Sequence, residues 1–446
     1  MPYLKEVEIS DDTSVSVDAY SNITPETVKT IKKIAPSLRG TTIVHVNATP
    51  VGGGVAELLN SQIALERSLG LDSHWLIIND VPSAFFDVTK KMHNVLQGKR
   101  EDLTQEEKNT YLAVNKKLAE SLAGLDDLTD CILVVHDPQP LAMLAFTQIR
   151  HPAIIRLHID LSTPNPQAVE FLRPYMQLYS YLVLTSKEYM PAFSWFPQSQ
   201  VRLIPPAIDP ISEKNQTMSL AEAHKLLSRF GIDQNRPLLT QVSRFDPWKD
   251  PHGVIRAFRE VQETIPNAQL VLAGFITAKD DPEAAKILES VEAERKGDKN
   301  ILLFSDPSVL EEIKNDVFIR ALYTASDVVF QKSLREGFGM TTTEAMWKGK
   351  AVISGNTVGG RMQIESGKNG FLVNSSDEAA QAALTLLEDK ERARRMGAAA
   401  HESVVDQFVI THYLLDHLKM YQEAKDQGGM PISNLISRPV SSAISH

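Results

Sequence analysis

Cysteine is almost missing: Cys131 is the only one among 446 residues. A lone thiol excludes an internal disulfide framework, a CxxC redox pair and a thiolate zinc cage. By itself Cys131 reads as a small buried hydrophobe. Positive charge is in deficit too, with 46 Lys and Arg against 56 Asp and Glu and a formal net charge of −10. That balance argues against a protein gripping phosphate backbones along a basic face, so nucleic acid is not an expected partner. No apolar run approaches the ~20 residues needed to cross a bilayer, and the opening MPYLKEVEIS has no signal-peptide core. The expectation is a soluble, cytoplasmic chain without a membrane partner. Glycine (22) and proline (24) stay near average usage, which excludes collagen-like and low-complexity classes. There is no HExxH, no Asp-x-Asp metal spacing, no GxSxG elbow and no GxxxxGK[ST] loop. Metallohydrolase, serine hydrolase and P-loop readings therefore have nothing to stand on.

What is present is a repeating alternation. At 43% hydrophobic and 23% charged residues the composition is globular, and at ~150 residues per domain the length predicts two or three folded units. Short apolar runs at Thr41–Asn47, Ser73–Ile78, Cys131–Val135, Ala153–His158, Tyr181–Leu184 and Val201–Ile204 read as strands. Amphipathic segments such as Val55–Ser68 and Gln105–Ala123 read as helices between them. The alternation restarts with strands at Leu238–Val242, Ala268–Ala273, Ile301–Phe304, Asp327–Gln331, Ala351–Ser354 and Gly370–Val373. Helices are expected at Pro251–Thr264, Pro282–Arg295, Val309–Tyr323 and Met340–Lys348. Fully apolar strands alternating with helices imply parallel sheets covered on both faces. Ile204–Ser219, with three prolines and a polar run, is the expected linker, and the chain past Asp426 reads as a mobile tail. The expectation is α/β: two doubly wound domains facing a cleft, with ligands at the strand ends.

Three loops carry candidate chemistry. Ala48–Glu57 (ATPVGGGVAE) puts Gly52, Gly53 and Gly54 between a strand and a helix, where backbone amides can approach an anion. Taken alone, a ligand-free tight turn needs the same glycines. Val242–Pro251 (VSRFDPWKDP) brings Arg244 and Lys249 to one strand end, where a guanidinium fork and a mobile ammonium can converge on a diphosphate. Solvated surface cations would read the same way. Gln331–Gly349 (QKSLREGFGMTTTEAMWKG) predicts a strand, a turn containing Glu336 and a helix from Met340. The amides of Met340, Thr341 and Thr342 would then form a second anion site. Glu336 and Glu344 should lie ~12 Å or more apart, suiting two hydroxylated ends of one ligand; a loop carboxylate plus a capping Glu is the alternative. His158 with Asp160, and His136 with Asp137, close two further strands.

REGFGMTTTEAM, with SRFDPWK before it and a glycine loop after the first strand, resembles the retaining glycosyltransferases of family 4. HDPQP together with RLHIDLS narrows the resemblance to the trehalose-forming branch, and it runs from about Thr41 to the helix near Tyr421. The resemblance implies GT-B architecture, with two Rossmann-like domains. Residues 1–210 would form the acceptor domain and 211–408 the nucleotide-sugar donor domain. A final helix, about 409–424, would return to the first domain, followed by a tail over 425–446. It also implies reversible transfer of glucose between a nucleoside diphosphate glucose and glucose, forming trehalose with anomeric configuration kept. Glu336 would hold donor-sugar hydroxyls and Glu344 the ribose. Arg244 and Lys249 would hold the diphosphate, assisted by Gly52–Gly54. His158 would contact the sugar's 6-hydroxyl, and Asp137 and Glu57 would serve the acceptor. No cofactor or metal is expected, the partners would be small-molecule substrates, and a homodimer stays open. Lys332, beside the donor loop, stands where the family pattern has an apolar residue. Two rivals remain at this point: a trehalose phosphorylase, in which inorganic phosphate replaces the nucleotide, and a non-catalytic sugar-nucleotide sensor.

Overall fold

The computed structural model describes residues 2–9, 15–51, 53–125, 131–147, 152–275 and 282–426. The expected tail lies, from residue 427 onward, outside the described residues, as does Gly52. The chain divides into two compact units, Met1–Pro206 with the segment from Ile410 onward, and Ala207–Val409.

Among its described residues the first unit has seven strands: β1 (Leu4–Glu6), β2 (Thr42–Asn47), β3 (Asp72–Ile78), β4 (Cys131–His136), β5 (Ala153–Arg156), β6 (Tyr181–Leu184) and β7 (Val201–Leu203). Their order in the sheet is β1-β3-β2-β4-β5-β6-β7, and every pairing is parallel except β1 with β3. All six residues of β4 are buried, as a strand covered on both faces requires. The helix Gln105–Ala123 opens on a capping box. Thr104 accepts from the Glu107 amide at 3.2 Å, and Glu107 accepts from the Thr104 amide at 2.7 Å. The helix Ile410–Asp426 packs on helices Pro25–Leu38 and Gly54–Ser68.

Among its described residues the second unit carries six strands, β8 (Leu238–Val242), β9 (Gln269–Ala273), β10 (Ile301–Phe304), β11 (Val328–Gln331), β12 (Val352–Gly355) and β13 (Gly370–Val373). They lie in the order β10-β9-β8-β11-β12-β13, all parallel. Counted from β8, this is the 3-2-1-4-5-6 order of dinucleotide-binding sheets. Successive residues feed opposite cores. Leu270, Leu272, Val328 and Phe330 join one apolar cluster, while Val271, Ala273 and Val329 join the other. That two-sided burial is why the strands read as uninterrupted apolar runs.

Two expectations needed correction. Val309–Tyr323 is not one helix: a short 3-10 turn, Pro307–Leu310, precedes a helix over Asn315–Ala325. Glu311 between them has φ 53, a left-handed geometry that no α-helix can pass through. Strand β1 was not expected, because its three residues are too few and too polar to show alternation.

Candidate active site

In a doubly wound sheet, ligands sit beyond the carboxyl ends of the strands where the order reverses. In the second unit that point lies between β8 and β11, so the loops leaving it are Ser243–Asp250 and Lys332–Gly339. In the first unit it lies between β2 and β4, followed by Ala48–Gly53 and Asp137–Pro140. All three loops singled out by sequence, and the HDPQP turn, thus leave switch points.

In the second unit the structure brings Lys249 and Glu336 into an ion pair. Ser333 donates to the same carboxylate oxygen at 3.2 Å. Arg244 stands apart from that pair: its Nη2 lies 2.8 Å from Asp246 Oδ2, and its side chain is 71% exposed. The loop is held from below by Gln241, whose amide donates to the Lys249 carbonyl at 2.9 Å. Its own Oε1 accepts the Lys332 amide at 3.1 Å. Lys332, the departure from the family pattern, is buried and paired with Asp250, so its charge is neutralised within the unit.

Glu344 is 2% exposed, with Lys214 Nζ at 2.8 Å and the Tyr323 hydroxyl at 3.4 Å. Glu336 and Glu344 share none of these partners, so the two carboxylates occupy separate surroundings. The helix Met340–Trp347 starts at Gly339, whose φ of 86 suits glycine and whose added Cβ would come within 3.0 Å of Glu336 Cγ. The expectation that three amides stay open here needs adjustment. The Thr342 amide bonds the Gly339 carbonyl at 2.9 Å, leaving Met340 and Thr341 as amides with no hydrogen bond among the described residues.

In the first unit Gly53, with φ 114, caps the helix Gly54–Ser68, and Glu57 is exposed on its first turn. Asp137 is turned into left-handed geometry at φ 63, and its carboxylate accepts the His158 amide at 2.7 Å. Burial pushes the Asp137 carboxyl up. Strand β5 ends at Arg156, two residues before His158, and Arg156 is itself fully buried. Its Nη2 donates to the Ile204 carbonyl at 2.8 Å and its guanidinium lies 5.0 Å over the Tyr413 ring.

His158 ends a line of side chains that sequence reasoning missed. His158 Nε2 lies 3.0 Å from His136 Nδ1, and His136 Nε2 lies 3.0 Å from His45 Nδ1. His45 Nε2 then lies 3.2 Å from Glu66 Oε2. The rings stack at centroid distances of 5.3 Å for both His–His pairs. A sequence signal existed for two members: His45 interrupts the apolar run TTIVHVN, and Glu66 follows Gln62 by one helical turn among Leu58, Leu59 and Ile63. Lys214 and Tyr323, which steady Glu344, had no local signal.

Residues 45–191 match the family described as trehalose synthase, N-terminal domain, and residues 224–403 match glycosyl transferases group 1. The trehalose synthase of Thermococcus litoralis is 42% identical over 398 residues, which cover 89% of this chain and 93% of that protein. The chain belongs to the trehalose synthase family. Another family member, the trehalose synthase of Rubrobacter xylanophilus, is 41% identical over 407 residues, 91% of this chain and 95% of its own length. A UDP-forming α,α-trehalose-phosphate synthase from Burkholderia xenovorans superposes with a TM-score of 0.70 at 17% identity, covering 86% of this chain and 99% of that one. The trehalose synthase family resemblance carried by REGFGMTTTEAM and RLHIDLS therefore holds, and the fold is GT-B. Among the described residues of this family member, no helix is long and apolar enough to cross a membrane.

Proposed function

We propose that the chain is a retaining glucosyltransferase that moves glucose reversibly between a nucleoside diphosphate glucose and free glucose, forming trehalose. The observation that carries this reading is the Lys249–Glu336 ion pair at the switch point of the second sheet. It pairs a cation suited to phosphate with a carboxylate suited to sugar hydroxyls beyond the ends of the adjacent strands β8 and β11, in a chain 42% identical to a trehalose synthase.

Breaking the bond from the anomeric carbon to phosphate oxygen leaves negative charge on the diphosphate and positive charge on the sugar ring. Arg244, Lys249 and the amides of Met340 and Thr341 stabilise the departing charge; Thr342 shapes that turn, and the Gly52–Gly54 amides assist. Glu336 holds the donor sugar. Glu344 keeps lone pairs for the ribose hydroxyls, since Lys214 and Tyr323 do not fill a carboxylate's four acceptor positions. His158 meets the sugar's 6-hydroxyl, and Asp137 and Glu57 serve the acceptor. The acceptor hydroxyl attacks from the face the phosphate leaves. A carbon–oxygen bond to the acceptor forms, the carbon–oxygen bond to phosphate breaks, and the leaving phosphate oxygen takes the proton. Configuration is kept, and no metal is required.

Product analysis after mixing the protein with glucose and a panel of nucleoside diphosphate glucoses tests this reading. The expected result is trehalose with stoichiometric release of nucleoside diphosphate. Trehalose from glucose 1-phosphate and glucose with no nucleotide present, with release of inorganic phosphate, would make the protein a phosphorylase. Nucleotide binding with no product from any donor would make it a sensor.

A further inference from the structure

The Glu66–His45–His136–His158 line has a direction that its ends dictate. Glu66 Oε1 accepts from the Gln62 amide at 2.8 Å and from the Tyr421 hydroxyl at 3.2 Å. A carboxylate ringed by donors acts as an acceptor, so His45 Nε2 must donate to Oε2. His45 then presents a lone pair at Nδ1, and His136 Nε2, 3.0 Å away, must be the donor. By the same step His158 Nε2 donates to His136 Nδ1. A second proton on His45 or His136 would set donor against donor. Burial first, then the charges of neighbours including Arg156, hold protonation of His136 and His158 well below the ordinary histidine range. Glu66, His45 and His136 are buried, whereas His158 is partly exposed and its Nδ1 bonds no described residue.

We propose that Glu66, acting through His45 and His136, fixes His158 in the tautomer protonated at Nε2, so that Nδ1 faces the ligand as a hydrogen-bond acceptor. The ligand side of this proposal rests on the glucosyl-transfer reading: the acceptor nitrogen meets a donor-sugar hydroxyl and discriminates against a ligand group that can only accept. Glu66, His45 and His136 are positioning residues. Tyr421 and Gln62 tie the carboxylate to the helices Ile410–Asp426 and Gly54–Ser68, so the far end of the line is anchored by two elements of the same unit.

The test is long-range proton–nitrogen correlation on protein labelled with nitrogen-15 histidine at pH 7.5, with the His158 signals assigned by their loss in His158→Gln. The expected spectrum shows His158 protonated at Nε2 with a pyridine-type Nδ1. Protonation at Nδ1, or a mixture, in the wild-type protein overturns the proposal without any variant. In Glu66→Gln the side-chain amide can donate or accept toward His45, so the line can run either way. His158 should become a tautomer mixture, and kcat should fall about tenfold with the nucleotide-sugar KM unchanged. A pure Nε2–H His158 in folded Glu66→Gln overturns the directing role of Glu66, and an unchanged kcat despite a mixture overturns the ligand-facing role. The tautomer measurement needs no substrate. A protein that shows the expected spectrum but transfers no glucose would retire the function reading and leave the line standing.

Discussion

Lys249 and Glu336 lie 87 positions apart in the chain and meet as an ion pair because their loops leave adjacent strands, β8 and β11, of one parallel sheet. The Ser333 hydroxyl, 3.2 Å away, bonds the same oxygen of Glu336. The carboxylate is therefore oriented before any ligand arrives, which lowers the reorganisation needed during reaction. Glycine is needed around it: a Cβ on Gly355 would come within 1.9 Å of the Ser333 carbonyl oxygen, and one on Gly359 within 2.3 Å of the Phe338 carbonyl oxygen.

If Glu336 holds the sugar as charge develops, Glu336→Gln should lower kcat by about 10²-fold while the nucleotide-sugar KM stays near wild type. The amide keeps the volume of the carboxylate, so the unfolding temperature should change little. Steady-state kinetics check this. Normal turnover in the variant would remove Glu336 from the reacting end of the ligand.

The sheets were legible because both faces of the central strands are covered, which leaves runs such as CILVVH and QLVLA with little polarity to confuse the pattern. Glu311 was opaque, since a single left-handed residue leaves no periodic trace in the sequence. The Lys249–Glu336 meeting was legible in part, because both residues stand at predicted strand ends. The Lys214–Glu344 pair was not, as it joins residues 130 positions apart through tertiary packing alone. Three histidines in separate strands and loops could line up only once the order β2-β4-β5 was known.

Glu344 calls for a different substitution from Glu336. It is almost buried and paired with Lys214, whose side chain is 11% exposed. Glu344→Ala removes one partner of that pair and should cost about 3 kcal/mol of stability, obscuring any binding effect. Glu344→Gln keeps the shape and one acceptor oxygen. It should unfold below the wild-type temperature but above Glu344→Ala, because its amide oxygen can still accept from Lys214. It should bind nucleoside diphosphate about tenfold or more weakly, as expected for losing a charge-assisted hydrogen bond of ~1.5–3 kcal/mol. Calorimetric titration reads this directly; unchanged affinity in a folded variant would take Glu344 out of the ribose site.

Leaving-group charge is assigned here to Arg244 and Lys249. Activity should therefore persist in excess chelator, and Lys249→Ala should lower turnover by about 10²- to 10³-fold. Among the described residues, no three or more of His, Cys, Asp and Glu gather in a group that could hold a metal ion. Loss of most activity on chelation, with recovery on adding magnesium or manganese, would contradict the two-cation assignment.

The buried histidines predict how stability depends on pH. His136 and His417 are buried, and burial is the largest cause of their depressed protonation; the neighbouring histidines and Arg156 push His136 further, and Arg156 does the same for His417. Their folded pKa values lie well below the unfolded value of about 6.5. Above that value neither state carries the protons, and the stability of the folded form is intact. As pH falls through 6.5 the unfolded chain binds protons that the folded chain refuses, so stability drops until the folded pKa values are reached. Each such histidine contributes up to ~1.4 kcal/mol per pH unit, and the pair about 3. Urea unfolding at pH 7.5, 6.5 and 5.5 should show the midpoint falling steeply over the last interval. His417→Gln should be less stable than wild type at pH 7.5, because His417 Nδ1 donates to the Tyr413 carbonyl at 2.9 Å. Its slope below pH 6.5 should be shallower by about 1.4 kcal/mol per unit. A midpoint that does not move between pH 7.5 and 5.5 would mean that the folded and unfolded chains take up protons alike over that range, against the burial of His136 and His417.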